Sequence, residues 1–276
     1  MKLLALAGLV VFALTFATPA TAGPFEDAES ALERGDYVDA LRSMRPLAEH
    51  GNVGAQYDLG LMYYHGHGVR QDYAEALRWY RKAAEQGNTK AQYNLGVMCA
   101  QGQGVPQDYA EALRWFRNAA EQGNVTAQGT LGAMYAEGQG VPQDYAEALR
   151  WYRKAAEQGH ALAETDLGVM YAQGHGVPQD AAEAVRWFRK AAEQGHALAE
   201  YNLGVMYAQG QGVPKDYVQA HRWLNLAAAR FLASENEQRD NAVKNRDRVA
   251  AKMTPAQITE AQRLAREWKP TPPTSR

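Results

Sequence analysis

A chain of 276 residues with a formal net charge of −2 and a pI near 6.4 has no basic face to offer. A role in binding nucleic-acid backbone, or phosphate in general, finds no support in that balance. Its one cysteine, Cys99, leaves no internal disulfide framework, so the fold must stand on packing alone.

The first element is not part of the fold. Lys2 precedes an apolar run from Leu3 to Phe16, and Ala20-Thr21-Ala22 ends in small residues before Gly23. Residues 1–22 therefore read as a secretory signal peptide, since a run of 14 apolar residues is short for a bilayer span. The mature chain is expected to start near Gly23, to be periplasmic or secreted, and to have no membrane span once the signal is cleaved.

Residues 25–34 predict a short helix and Asp36 to Glu49 a second. Asp36-Tyr37 falls 36 residues before Asp72-Tyr73, and Met44 stands where later units carry an aromatic. Residues 23–50 thus read as a degenerate repeat that caps the N-terminus, a position where repeats diverge to present a polar outer side. Five full units then fill residues 51–230, beginning near Gly51, Gly87, Gly123, Gly159 and Gly195. Trp79, Trp115, Trp151, Trp187 and Trp223 recur at intervals of 36. A helix-compatible period of this size marks a stacked array that grows by addition.

Each unit predicts two helices. The first runs from Asn52 to His65 in unit one, with Asn52, Asn88 and Asn124 as caps and His160 and His196 as weaker ones. Ala55, Leu59, Met62 and Tyr63 form its apolar stripe. Gly60, Gly96, Gly132, Gly168 and Gly204 sit mid-helix, where glycine costs about 1 kcal/mol against alanine, so a close approach by a neighbouring helix is expected. A Gly-x-Gly connector supplies positive φ. Asp72 then caps the second helix, with Glu75 completing a capping-box pair, repeated at Asp108/Glu111, Asp144/Glu147 and Asp180/Glu183. Tyr73, Ala76, Leu77, Tyr80, Ala83 and Ala84 are predicted to face inward with Trp79 beside them. Arg81 and Glu85 are predicted to pair on the wet side.

Residues 231–268 predict two closing helices: a polar one opened by Ser234/Glu237, and one opened by Thr254-Pro255 that turns Ile258, Ala261, Leu264, Ala265 and Trp268 inward. Residues 269–276, with three prolines, read as a disordered tail.

Three segments of each unit carry a family likeness. In unit two they are Ala91-Gln-Tyr-Asn-Leu-Gly-Val-Met, Gly102-Gln-Gly104-Val-Pro-Gln-Asp108-Tyr-Ala-Glu-Ala, and Trp115-Phe-Arg-Asn-Ala-Ala-Glu-Gln-Gly123. This pattern resembles the Sel-one-like repeat family, a branch of the tetratricopeptide-like α-solenoids, and the resemblance covers about residues 36–230. It implies an all-α fold, a right-handed α-α superhelix of 36-residue helix-turn-helix repeats. It also implies an adaptor or scaffold that holds protein partners on a superhelical surface. Some exported, cysteine-rich members are linked to β-lactam binding or hydrolysis; this chain lacks their paired cysteines.

Catalytic chemistry finds no foothold. No serine lies between Ser43 and Ser234, and neither Ser30 nor Ser43 has Lys three residues on, as an acylating Ser-x-x-Lys enzyme needs. Cys99 lies at a core phase with no histidine in its helix. His65-Gly-His67 has a chelate-like spacing and His175 shares the phase of His67, but a metal site needs three or four convergent ligands, so these read as solvated loop histidines. No cofactor, metal or catalytic residue is predicted. The expectation is a non-enzymatic scaffold of the cell envelope; a weak β-lactam or cell-wall peptide hydrolase is the alternative.

Binding residues can be sought by comparing the units with one another. The second helices hardly vary, whereas one face of the first helices does. One phase reads Gly54, Lys90, Thr126, Leu162, Leu198, and the next Tyr57, Tyr93, Gly129, Thr165, Tyr201. A third reads Asp58, Asn94, Thr130, Asp166, Asn202, and a fourth His65, Gln101, Glu137, Gln173, Gln209. These offsets share a helix face. In related solenoids the first helices line the concave surface, so Tyr57, Asp58, Lys90, Tyr93, Asn94, Thr130, Asp166, Tyr201 and Asn202 are the predicted contacts for a peptide or protein partner. Trp79, Trp115, Trp151, Trp187 and Trp223 are predicted to be structural.

Overall fold

A computed structural model describes residues 23–271. Among them there are 14 helices and no strand. The signal-peptide segment 1–22 and residues 272–276 of the expected tail lie outside the described residues.

Helices α1 (Pro24–Glu33) and α2 (Tyr37–Glu49) precede the array. The first helices of the five repeats are α3 (Val53–His65), α5 (Thr89–Gln101), α7 (Val125–Glu137), α9 (Ala161–Gln173) and α11 (Ala197–Gln209). Their second helices are α4 (Tyr73–Glu85), α6 (Tyr109–Glu121), α8 (Tyr145–Glu157), α10 (Ala181–Glu193) and α12 (Tyr217–Arg230). Helices α13 (Asn236–Ala250) and α14 (Pro255–Glu267) follow. From α1 to α13 each helix packs on the next, and α14 returns to α12, so the molecule is an α-solenoid. α7 also touches α9, and α11 touches α13.

The mid-helix glycines answer to aromatic rings. A Cβ on Gly96 would sit 2.7 Å from the Phe116 ring, and one on Gly132 would sit 2.5 Å from the Tyr152 ring. The glycine thus admits the second helix's large side chain directly over the first helix's backbone. The second glycine of each connector does the same between repeats: Gly104, at φ +75°, would bring a Cβ within 2.7 Å of the Tyr73 backbone in the preceding repeat. Met44 is fully buried against Ala55 and Leu59, which welds α2 to the array.

Several local expectations need correction. Asp72 does cap α4, its Oδ1 accepting from the backbone N–H groups of Ala74 and Glu75. No capping box forms, because the Asp72 N–H already donates to the Tyr63 carbonyl and leaves nothing for Glu75 to accept. Glu75 instead accepts from Arg78 at 2.7 Å, and Glu111, Glu147 and Glu183 do likewise with Arg114, Arg150 and Arg186. The predicted Arg81–Glu85 pair is not among the ion pairs of the described residues, and at the same phase Arg153 and Arg189 donate to the Tyr171 and Tyr207 hydroxyls instead. Ser234 is not a cap: α13 starts at Asn236, and Glu235 accepts from the Leu232 N–H. Thr254 and Gln257 form the one full capping box among the described residues. Tyr73 is half-buried and its equivalent Tyr109 is exposed, because the hydroxyls of both accept from a connector glutamine, Gln71 or Gln107. The start of the expected tail is docked, with the Thr271 N–H donating to the Glu193 carbonyl at 2.8 Å.

The five tryptophans are not equivalent. Trp79, Trp151 and Trp223 are buried, whereas Trp115 and Trp187 are half-buried. Lys82 and Lys154 lie over the rings of Trp79 and Trp151. Asn118 occupies that phase beside Trp115, whose indole N–H donates to Glu111 instead.

Candidate functional site

The first helices carry the candidate site, and the second helices supply its floor. Tyr80 reaches from α4 across Gly60, so its ring is buried beneath α3. Tyr57 lies 5.9 Å from it, centroid to centroid. Tyr93 rests on Phe116 at 5.4 Å in the next repeat. Between α3 and α5 the three tyrosine rings, with Leu61, Tyr64, His65, Asn94 and Val97, line an open cavity of about 320 Å³. Of the nine predicted contacts, Tyr57, Tyr93 and Asn94 line this cavity.

Asp58 stands beside it. Burial, and then the neighbouring Glu29 carboxylate, push the Asp58 carboxyl up to about 6, while Lys90 pulls the other way. Burial above all, with the Asp58 charge adding to it, raises the Tyr57 and Tyr80 hydroxyls, and the Asn94 side chain pulls the other way. Asp166 repeats the arrangement three units on. Burial carries its carboxyl up to about 6, Glu137 adds to the rise, and the Tyr152 hydroxyl opposes it.

The remaining predicted contacts are dispersed. Lys90 is exposed, and Thr130 donates its hydroxyl to the Thr126 carbonyl of its own helix. Tyr201 is held under α13, its hydroxyl accepting from Asn245 at 2.8 Å, so it serves the C-terminal closure. Asn202 is half-buried. Variation at the Tyr57 phase also has a packing cause at two places. Gly129 makes room for the His160 ring, and the buried Thr165 hydroxyl meets His196 Nδ1 at 2.8 Å. His160 still caps α9 by accepting from the Ala163 N–H, and burial holds its pKa below the usual histidine range. His196 makes no cap bond. Nor are the loop histidines simply solvated: His67 stacks on Tyr37 and His175 on Tyr145. No group of three metal-ligating side chains occurs among the described residues.

A buried polar ladder escaped the reading of the sequence. Gln56, Gln92 and Gln128 each donate to a carbonyl of the preceding helix, Ala48, Ala84 and Ala120, and each accepts from a glutamine 30 residues on. Glu164 and Glu200 continue it in the last two repeats. Glu164 accepts from Gln194, and Glu200 faces Arg230 at 2.9 Å. Burial pushes the Glu200 carboxyl up to about 8 against the pull of Arg230. The paired change from Gln/Gln to Glu/Arg at a fixed spacing was the available signal.

The molecule is a solenoid of two-helix repeats whose buried residues recur from unit to unit and whose varying residues lie along the first helices. The chain belongs to the Sel1 repeat family, whose model matches residues 53–88, 89–124, 126–160, 161–196 and 197–230. It is similar to the crystal structure of a Sel1 repeat protein from Oxalobacter formigenes, with 32% identity and a TM-score of 0.75 over 88% of this chain and 99% of that one. It is also similar to c5321, a protective antigen of uropathogenic Escherichia coli strains with an SLR fold, with 31% identity and a TM-score of 0.57. That match covers 88% of this chain and 60% of the antigen. Comparison with curated proteins found no match.

Proposed function

We propose that this chain is an exported, non-catalytic scaffold that holds an extended peptide or protein segment along the wall of its first helices. The observation that carries the reading is the cavity between α3 and α5, where Tyr57, Tyr93 and Asn94 from the variable stripe meet. Membership of the Sel1 repeat family supports it, since such proteins are generally protein-interaction scaffolds. Helical repeats offer an open surface that extended partners can follow. The hydrolase alternative gains nothing from Cys99, which is buried and whose thiol burial pushes up, away from the reactive thiolate.

Crosslinking in the native envelope, followed by mass spectrometry, tests the reading. Replacing Tyr93, Asn94 and Asn202 together is expected to abolish the partner crosslinks without lowering the melting temperature; unchanged crosslinks overturn it. Recovery of a mature chain starting near Gly23 from the periplasm or medium checks export. Hydrolysis of nitrocefin by the purified chain would favour the alternative.

A further inference from the structure

The cavity between α3 and α5 is richer in aromatic groups than its equivalents. Tyr64 lines it, yet Ala100, Ala136, Ala172 and Ala208 hold that phase in the other repeats. Tyr57 and Tyr93 face each other across two repeats, whereas the same phase falls to Gly129 and Thr165 in the next two. Tyr80 closes the floor, so four tyrosines from three helices, with Leu61 and Val97 between them, line one space of about 320 Å³. That is near the lower end, about 300 Å³, of small-ligand pockets.

The carboxylate of Asp58 stands beside the cavity, which His65 also lines. Asp58 adjoins Tyr57 in sequence and acts on both the Tyr57 and Tyr80 hydroxyls, and Glu29 stands behind it. Lys90 partly offsets the Asp58 charge, but it is exposed and does not line the cavity. Aromatic faces present negative charge to whatever lies over them, and an adjacent carboxylate adds to that field. A neutral apolar group would profit from the rings alone; a cation profits from both.

We propose that this cavity is an aromatic cage for the ammonium group of a lysine side chain in the extended segment that the scaffold holds. The inference rests on the scaffold reading and specifies one of its contacts. Tyr57, Tyr64 and Tyr93 supply the ring walls, Tyr80 the floor, Asn94 a polar group at the mouth, and Asp58 the counter-charge.

Two substitutions test the cage with folding controls already present in the chain. Tyr64→Ala installs the residue of the other four repeats, and Asp58→Asn that of the second and fifth. The probe is the blocked pentapeptide acetyl-Ala-Ala-Lys-Ala-Ala-amide, titrated against the mature chain by amide chemical shifts, with its norleucine analogue as the uncharged control. The lysine peptide is expected to saturate, to shift Tyr57, Tyr64 and Tyr93, and to bind about tenfold tighter than the norleucine peptide. Tyr64→Ala should weaken it about tenfold and Asp58→Asn about threefold, while Leu198→Thr, remote from the cavity, changes nothing. Equal binding of the two peptides, no saturable binding, or an unaffected Tyr64→Ala variant overturns the cage. If the triple replacement abolishes envelope crosslinks while the lysine peptide is ignored, the cage falls and the scaffold stands. If the peptide fills the cage while crosslinks persist in that variant, the scaffold reading is the one that falls.

Discussion

Replacing Glu164 by glutamine should stabilise the array, and by an amount that depends on pH. In the first three repeats this position is Gln56, Gln92 or Gln128, which donates to a helix carbonyl and accepts from a second glutamine. An ionised Glu164 can do only the second: it accepts from Gln194 at 2.7 Å and has no proton for the Ala156 carbonyl. Its compensation is slight, since Lys190 stands 4.0 Å away and is 56% exposed while the carboxylate side chain is 3% exposed. Burial, the largest influence, raises its pKa above the ordinary 4.5. The native state therefore keeps this proton to higher pH than the unfolded chain. Wild-type stability must fall as pH rises from about the unfolded value through the raised native one.

Glutamine removes the titration and restores one donor, worth about 1 kcal/mol net. Urea unfolding followed by tryptophan fluorescence should show the Glu164→Gln variant more stable by about 1 kcal/mol near pH 7.5. The gap should close to below about 0.5 kcal/mol near pH 4, where a protonated Glu164 can itself donate. A variant less stable than wild type near pH 7.5, or a difference that ignores pH, would refute the reasoning. The first result would mean that the Lys190 interaction outweighs the cost of burying the charge, and the second that folding leaves the Glu164 proton equilibrium unmoved.

Trp151→Ala should cost about 3–5 kcal/mol, since a fully buried ring leaves a cavity that helices cannot close, whereas Trp115→Ala should cost only about 1–2 kcal/mol because part of that ring is already wet; equal losses in denaturant midpoints would contradict the difference in burial. Gly132→Ala should destabilise despite gaining about 1 kcal/mol of helix propensity, because the added methyl meets the Tyr152 ring and overpacking costs about 1–3 kcal/mol. A raised melting temperature there would mean that the helices can part without loss. Cys99→Tyr should stabilise by about 0.5–1.5 kcal/mol, by giving Arg81 the hydroxyl that Arg45, Arg153 and Arg189 find on the first helix of the following repeat; an unfolding midpoint below wild type would show that the site has no room for the ring.

The periodic features could be read from the chain because each rests on local chemistry repeated five times. Asn52, Asn88 and Asn124 cap first helices, and Gly66 and its equivalents end them in the left-handed region. The features that failed rest on contacts between elements. Glu75 has the spacing of a capping box, but the N–H it needed is taken by a carbonyl of the helix before. Gln56 reads as a wet residue by type and is buried because two partners, one in the helix before and one in the helix after, satisfy its amide. The stripe along the first helices was visible as variation, but variation alone could not separate Tyr93, which lines a cavity, from Tyr201, which is fastened beneath α13.

That separation is where the near-identity of the repeats becomes useful. From Gln103 to Trp115 and from Gln139 to Trp151 the two segments are the same, so a departure elsewhere calls for a cause. Most departures have one in packing. Gly54 admits Phe25, Gly129 admits His160, Thr165 bonds His196, and Glu200 arrives with Arg230. Each is a pair of changes, the second compensating the first. Tyr64 has no such partner: it leans on Tyr73 at 5.3 Å, while Tyr109 and Tyr145 hold the same place in their repeats with only an alanine opposite. A large aromatic side chain that the fold does not require, set at the edge of an open cavity beside a carboxylate, is the residue from which a search for this chain's ligand should start.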